Sequence, residues 1–137
     1  MGVYLIQGFA VHDFTGFELD NWEALVFKVK TAQDEHLWRS LFSGVIYPDP
    51  DHPALYRGQM NDVRGVSSLS QVIIRYRLVR FTKKYVFRDN PTHFRLQPLG
   101  RSGHSFWVGE QYGPTDKRGM VACRLTYYDS LTFKPSL

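Results

Sequence analysis

The sequence predicts an α+β fold in which one main helix packs on a curved antiparallel sheet of about five to seven strands. Apolar residues recur at helical spacing in one segment, at about residues 32–43. Most other apolar segments alternate with polar residues, and short turns containing glycine, proline or asparagine separate them. With 137 residues, the chain fits a single domain over residues 1–137, and its meander could curl into an open barrel.

Two strands are predicted before the helix. Residues 2–11, GVYLIQGFAV, carry apolar side chains on both faces, which is typical of a strand covered on both sides. Residues 23–31, EALVFKVKT, place Leu25, Phe27 and Val29 against lysines, which predicts a second strand. The turn residues between them indicate a hairpin with a long loop.

The helix over about residues 32–43 is predicted from its ends and its apolar stripe. Thr31 is an N-cap candidate with Asp34 three residues later, and Gly44 stands where a helix C-terminus favours glycine. The apolar stripe consists of Leu37, Trp38, Leu41 and Phe42. We expect this stripe, including Trp38, to face the core.

The remainder of the chain predicts a long loop and then a meander. Residues 45–65 contain three prolines and several turn residues, which indicates a long loop. Strand candidates follow in the segments SSLSQVIIRYRLVRF, KYVFR, HFRLQPL, SFWVGEQY and MVACRLTYY.

Charge is distributed unevenly along the chain. Residues 1–71 hold five Lys or Arg and nine Asp or Glu, which gives −4, and residues 72–137 hold twelve and four, which gives +8. Together they account for the net +4 of the whole chain. A basic half of this kind is compatible with an anionic partner and equally with two halves that interleave in space, so that their charges average out.

The basic run VIIRYRLVRFTKKYVFR, residues 72–88, contains no acid. Its strand alternation inverts beyond Val79, and a bulge or turn near Arg80 to Lys84 would explain the inversion. Its arginines would then reach one outer surface. The predicted nucleic-acid-binding residues are Arg75, Arg77, Arg80, Lys83, Lys84, Arg88, Arg95 and Arg101.

The function predicted from this surface is binding of single-stranded or structured nucleic acid, because cations on a sheet face can neutralise phosphates. The other interpretation is a solvated strand face whose arginines pair with acids from residues 13–62. An alternative is a protein-interaction module, such as an inhibitor or a subunit, that docks an acidic protein surface. Exposed aromatic side chains would anchor such an interface, and the candidates are Trp22, Trp107 and Tyr112. Aromatic residues make up 15% of the chain, which favours either interpretation.

A second alternative is a small metal-independent nuclease or hydrolase. It would need a general acid and base beside one phosphate, and the candidates are His12, His93, His104 and Glu110. No strong catalytic motif contains them, so the sequence favours a protein that is not an enzyme and assigns no catalytic residue. It also predicts no cofactor and no metal site, since one cysteine and scattered histidines give no ligand motif.

The beginning of the chain lacks the features of a signal peptide, and no apolar run reaches the length of a membrane span. One cysteine, Cys123, excludes a disulfide within the chain. We therefore expect a cytoplasmic protein without membrane contact, and the aromatic content is compatible with a homo-oligomer. Cys123, in an apolar strand, is expected to be a buried structural thiol.

Overall fold

The computed structural model describes residues 2–12, 14, 17, 21–86, 90–99, 106–113 and 117–129. In these residues the chain forms two short helices and eight strands that close into an antiparallel barrel. The helices are α1 (Trp22–Lys30) and α2 (Glu35–Arg39). The strands are β1 (Val3–Val11), β2 (Phe42–Pro48), β3 (Tyr56–Asp62), β4 (Gly65–Arg75), β5 (Leu78–Tyr85), β6 (Thr92–Pro98), β7 (Phe106–Tyr112) and β8 (Lys117–Tyr128).

The barrel has the simplest possible connectivity. Each strand pairs with the next one along the chain, and β1 also pairs with β8 over the register Val3↔Tyr128 to Val11↔Met120. This closure pairs the backbone hydrogen-bonding groups of β1 and β8, the first and last strands, and leaves no open sheet edge among the described strands.

The predicted fold class is wrong, because the molecule is a closed barrel with two short helices and not one main helix packed on an open sheet. The predicted helix over 32–43 contains only α2, and Asp34, rather than Thr31, caps it by accepting a hydrogen bond from the His36 amide at 2.9 Å. Trp38 is 39% exposed, so its expected core position is also wrong. Phe42 and Gly44 belong to β2.

The predicted second strand is helix α1. The Asn21 side chain caps it by accepting from the Ala24 amide at 3.1 Å. Trp22, Leu25 and Val29 form its buried stripe, whereas Phe27 is 69% exposed. This burial follows helical rather than strand periodicity.

The predicted long loop over residues 45–65 contains most of β2 and all of β3. Inward positions of β3 alternate regularly with exposed ones, and Gly58 and Met60 are buried. The prolines Pro50 and Pro53 lie in the connection between the two strands, where no ladder hydrogen bond is required of them.

The basic run forms most of one hairpin. Arg75 pairs with Leu78, so the turn consists of Tyr76 and Arg77, several residues before the predicted position. A register shift lies between Ser70 and Ile73 of β4, where Gln71 has a φ of 52°. The bulge precedes the run, so the two-residue hairpin turn explains why the alternation inverts along it.

Two apolar clusters hold the described part of the chain together. One fills the barrel interior and includes Phe42, Phe81 and Phe94. The other lies outside the barrel, where α1 packs on residues of β1 and β8 such as Phe9 and Ala122. No helix among the described residues is long and apolar enough to cross a membrane.

Candidate nucleic-acid interface

The middle of the barrel is filled by side chains. The rings of Phe81 and Phe94 stack with centroids 4.6 Å apart, and Phe42 contacts Phe94 edge-on at 6.2 Å. All three side chains are at most 9% exposed. An eight-stranded barrel is narrow enough for its interior to be filled in this way. Surfaces for a large partner therefore lie on the outside of the barrel or at its ends.

The helices cover one part of the outer surface and leave another part open. Phe9 of β1, Ala122 of β8 and Val108 of β7 point outward into the cluster formed with α1. Arg124 of β8 adds a salt bridge to Glu23 of α1 at 3.2 Å. The outer surface of β3 to β6 does not contribute to this cluster.

The open surface carries a group of cations that we call the cationic face. Its members are exposed side chains at outward positions of β3 to β6 and in the β4–β5 turn: Arg57, Arg75, Arg77, Arg80, Lys84 and Arg95. Arg80 and Arg95 stand directly opposite each other on neighbouring strands. Cross-strand neighbours lie about 4.5–5.5 Å apart at Cβ, and like charges at that separation repel.

No acidic residue occupies an outward position in the described strands β3 to β6. Asp62, at the end of β3, points inward and accepts a hydrogen bond from the Tyr85 hydroxyl. Glu110 of β7 borders the face opposite Arg95, yet no salt bridge joins the two side chains in the described structure. The other described acids lie on the helix-bearing segment, in the β2–β3 connection and at the end of β8.

Four of these arginines make no ion pair within the described residues, namely Arg75, Arg77, Arg80 and Arg95. Arg57 lies over the ring of Tyr47, with its guanidinium carbon 5.8 Å from the ring centroid. Other described arginines, such as Arg39 and Arg124, are paired with glutamates. Within the described part of the chain, no ion pair therefore neutralises these four arginines of the cationic face.

Lys83 does not lie on the cationic face. It points into the barrel, and its ammonium lies 4.7 Å from the ring centroid of Tyr85 and 5.7 Å from that of Phe94. Alternation along β5 places Arg80 and Lys84 outside and Lys83 inside. Two further predicted contacts, Arg88 and Arg101, lie outside the described residues.

The predicted exposure of two tryptophans is wrong. Trp22 is 7% exposed because it packs between α1 and the barrel, edge-on against Phe106 at 5.2 Å. Trp107 is 5% exposed inside the barrel, where its indole nitrogen has no hydrogen-bond partner among the described residues. Tyr112 is half-buried, with its ring 5.5 Å from that of His93.

The described candidate acid–base residues come from different elements of the barrel. His93 and Glu110 lie on the outer surface of neighbouring strands, but the Nδ1 atom of His93 is 3.0 Å from the Thr82 hydroxyl. His12 follows the end of β1, and His104 lies outside the described residues. The described residues contain no group of three or more metal-binding side chains.

Three tyrosines gather at the barrel end where β1 begins. The ring of Tyr4 contacts Tyr56 at 5.7 Å and Tyr127 at 5.1 Å. Burial, together with the two neighbouring hydroxyls, raises the pKa of Tyr4 above its ordinary value. Cys123 is buried on the inner wall of β8, and burial raises the pKa of its thiol.

Two residues on or beside the cationic face were not predicted from the sequence. Arg57 fell in a segment predicted as a loop, although the alternation of Arg57, Gln59 and Asn61 with buried residues was a signal for an outward strand face. Tyr76, at the turn of the basic hairpin, is 77% exposed.

Comparisons with family models, curated proteins and solved structures found no match for this chain.

Proposed function

We propose that this protein binds nucleic acid through the cationic face. The observation that supports the proposal is the side-by-side placement of Arg80 and Arg95 on a surface where the described strands β3 to β6 carry no outward acid and Glu110 of β7 stands at the border. Neighbouring like charges destabilise a sheet, and a phosphate backbone would remove that repulsion. The arginines of this face also carry several N–H donors each, which suits phosphate oxygens.

The composition of the face favours nucleic acid over an acidic protein. Its outward neighbours include Ser68, Ser70, Gln59 and Asn61, and such side chains contact phosphates and sugars in protein–DNA complexes. Stable protein interfaces have an apolar, fully buried centre. Among its outward apolar side chains, Ile73 and Leu78 are only partly exposed, and the exposed Val66 and Tyr76 lie near opposite ends of β4, so they do not form one apolar centre.

The test is the salt dependence of binding, measured by fluorescence anisotropy with a labelled oligothymidylate of about 12 nucleotides. If all six cations of the face contact phosphates, the slope of log K against log salt reaches about −4 for a single strand. Affinity would then fall by up to about 300-fold between roughly 50 and 200 mM salt. A duplex of the same length is measured in parallel.

The decisive variant replaces Arg80 and Arg95 by glutamine, and the matched control replaces Lys30 and Arg39 on the helices, which removes the same charge. We expect the first variant to make the salt slope shallower by about 1.4. It should also be as stable as the unmodified protein or more stable, by up to about 1 kcal/mol, because a repulsion is removed.

Equal binding by the two variants would contradict the proposal, because net charge and not the cationic face would then determine affinity. Absence of binding at the lower salt would also contradict it. In that case an acidic protein partner becomes the better explanation of the face.

A further inference from the structure

We infer that the ligand of the cationic face is single-stranded, and that Tyr76 stacks on an unpaired base. The inference rests on the proposed function and specifies the class of nucleic acid. It starts from the position of one aromatic ring among the arginines of the face.

Tyr76 lies at the tip of the basic hairpin. Because Arg75 and Leu78 pair, the tip contains only Tyr76 and Arg77. All three residues from Arg75 to Arg77 are exposed, and Tyr76 is 77% exposed. The tip of the hairpin therefore carries an exposed ring that two exposed arginines flank in the sequence.

The orientation of Tyr76 differs from that of the other described aromatic residues on the hairpin. Phe81 and Tyr85 point into the barrel and are nearly fully buried. Because Tyr76 is 77% exposed, covering its ring with a further apolar surface would remove that area from water, which is favourable. A base stacked on such a ring buries both faces, and its flanking phosphates would meet Arg75 and Arg77.

The shape of the surface favours a single strand over a duplex. The cationic face follows the outer wall of a closed barrel and is therefore convex. Duplex DNA has a persistence length of about 50 nm, so wrapping it around a small barrel costs bending energy. A single strand bends freely, and only unpaired bases expose the faces that stack on aromatic side chains.

The experiment compares two labelled probes with equal numbers of phosphates. One is an oligothymidylate of about 12 nucleotides, and the other is an oligomer of the same length whose sugars carry no base. We expect the oligothymidylate to bind roughly five- to 150-fold more tightly for each base that stacks. The salt slopes of the two probes should be equal, since their phosphates are the same.

The variants Tyr76→Leu and Tyr76→Phe separate the ring from the hydroxyl. Tyr76→Leu should lose most of the preference for the probe with bases, and Tyr76→Phe should retain it, because stacking needs only the ring. Phe27→Leu is the matched control, since Phe27 is an exposed aromatic residue on α1. It should leave the preference unchanged.

The possible results separate the stacking of Tyr76 from the proposed binding of nucleic acid. Equal, salt-dependent binding of both probes would overturn the stacking inference and leave the proposed function standing. A preference that survives Tyr76→Leu would overturn the assignment to Tyr76. Binding of neither probe would overturn both the inference and the proposed function.

Discussion

The contact between Phe42 and Phe94 gives a direct test of barrel closure. Phe42 begins β2 and Phe94 lies in β6, and their ring centroids are 6.2 Å apart. In an open, flat sheet these strands would be four positions apart, which at about 4.8 Å per strand separates them by about 19 Å. The two rings can touch only if the sheet curves far enough to bring β2 and β6 face to face, as it does in the closed barrel.

The perturbation is a double-mutant cycle with Phe42→Leu, Phe94→Leu and the double variant. Each single replacement should cost about 1–2 kcal/mol, because both side chains are buried. An edge-on aromatic pair contributes about 0.5–1.5 kcal/mol beyond its buried area. We therefore expect a coupling energy of that size between the two positions.

Urea denaturation measures the free energy of unfolding of each variant, with the m-value checked for constancy. The control cycle pairs Phe94→Leu with Phe27→Leu, since Phe27 is 69% exposed on α1 and should show no coupling. Additivity of Phe42 and Phe94 within about 0.3–0.5 kcal/mol would refute the closed barrel with this core.

Two further predictions concern single buried positions. Gly58→Ala should lower the free energy of unfolding, measured by urea denaturation, by about 1–3 kcal/mol, because the inward Cβ would overlap the carbonyl oxygen of Val45. A stabilised variant would contradict the close approach of β2 and β3. Cys123 should resist a thiol reagent in the folded protein at about pH 8 and react on unfolding, because burial raises its pKa. The unfolded thiol ionises near pH 9.0, whereas the folded one stays protonated above that pH. The free energy of unfolding should therefore be unaffected by Cys123 below pH 9.0 and fall above it, by up to about 1.4 kcal/mol per pH unit. Cys123→Ala should reduce this pH dependence. Rapid labelling of the folded protein would contradict the assignment.

Part of the candidate site could be predicted from local alternation. Side chains two residues apart in a strand share a face. Val79 and Phe81 point inward, so the alternate residues Arg80 and Lys84 point outward. Arg95 follows from Phe94 and Leu96 in the same way. The segments predicted as strands near β1, β6, β7 and β8 are confirmed for the same reason.

Residues 22–30 show why the rest could not be predicted locally. Leu25 and Val29 are four residues apart, a spacing that fits both a strand face and a helix face. Phe27 decides between the two, and it is exposed. Its exposure depends on which surface the helix covers, namely the outer wall at Phe9 and Ala122, which belongs to distant parts of the chain.

The short α2 shows the same limit. The apolar stripe of Leu37, Trp38 and Leu41 predicted a longer helix, but Phe42 enters β2 and packs inside the barrel. Tertiary packing therefore ended the helix at Arg39 and overrode the local spacing.

By itself, the sequence determined in which segments apolar and polar residues alternate and where the basic residues concentrate. It also determined that Cys123 cannot form a disulfide within the chain. Each of these conclusions depends on residues that are close together in the chain or on composition alone. Only the tertiary structure decided that β1 pairs with β8. That pairing joins Val3 to Tyr128, and such distant residues leave no local pattern in the chain. Closure also made the inner side of the sheet a filled interior, so that Lys83 lies against Phe94 there while Arg80 and Arg95 lie side by side on the outside.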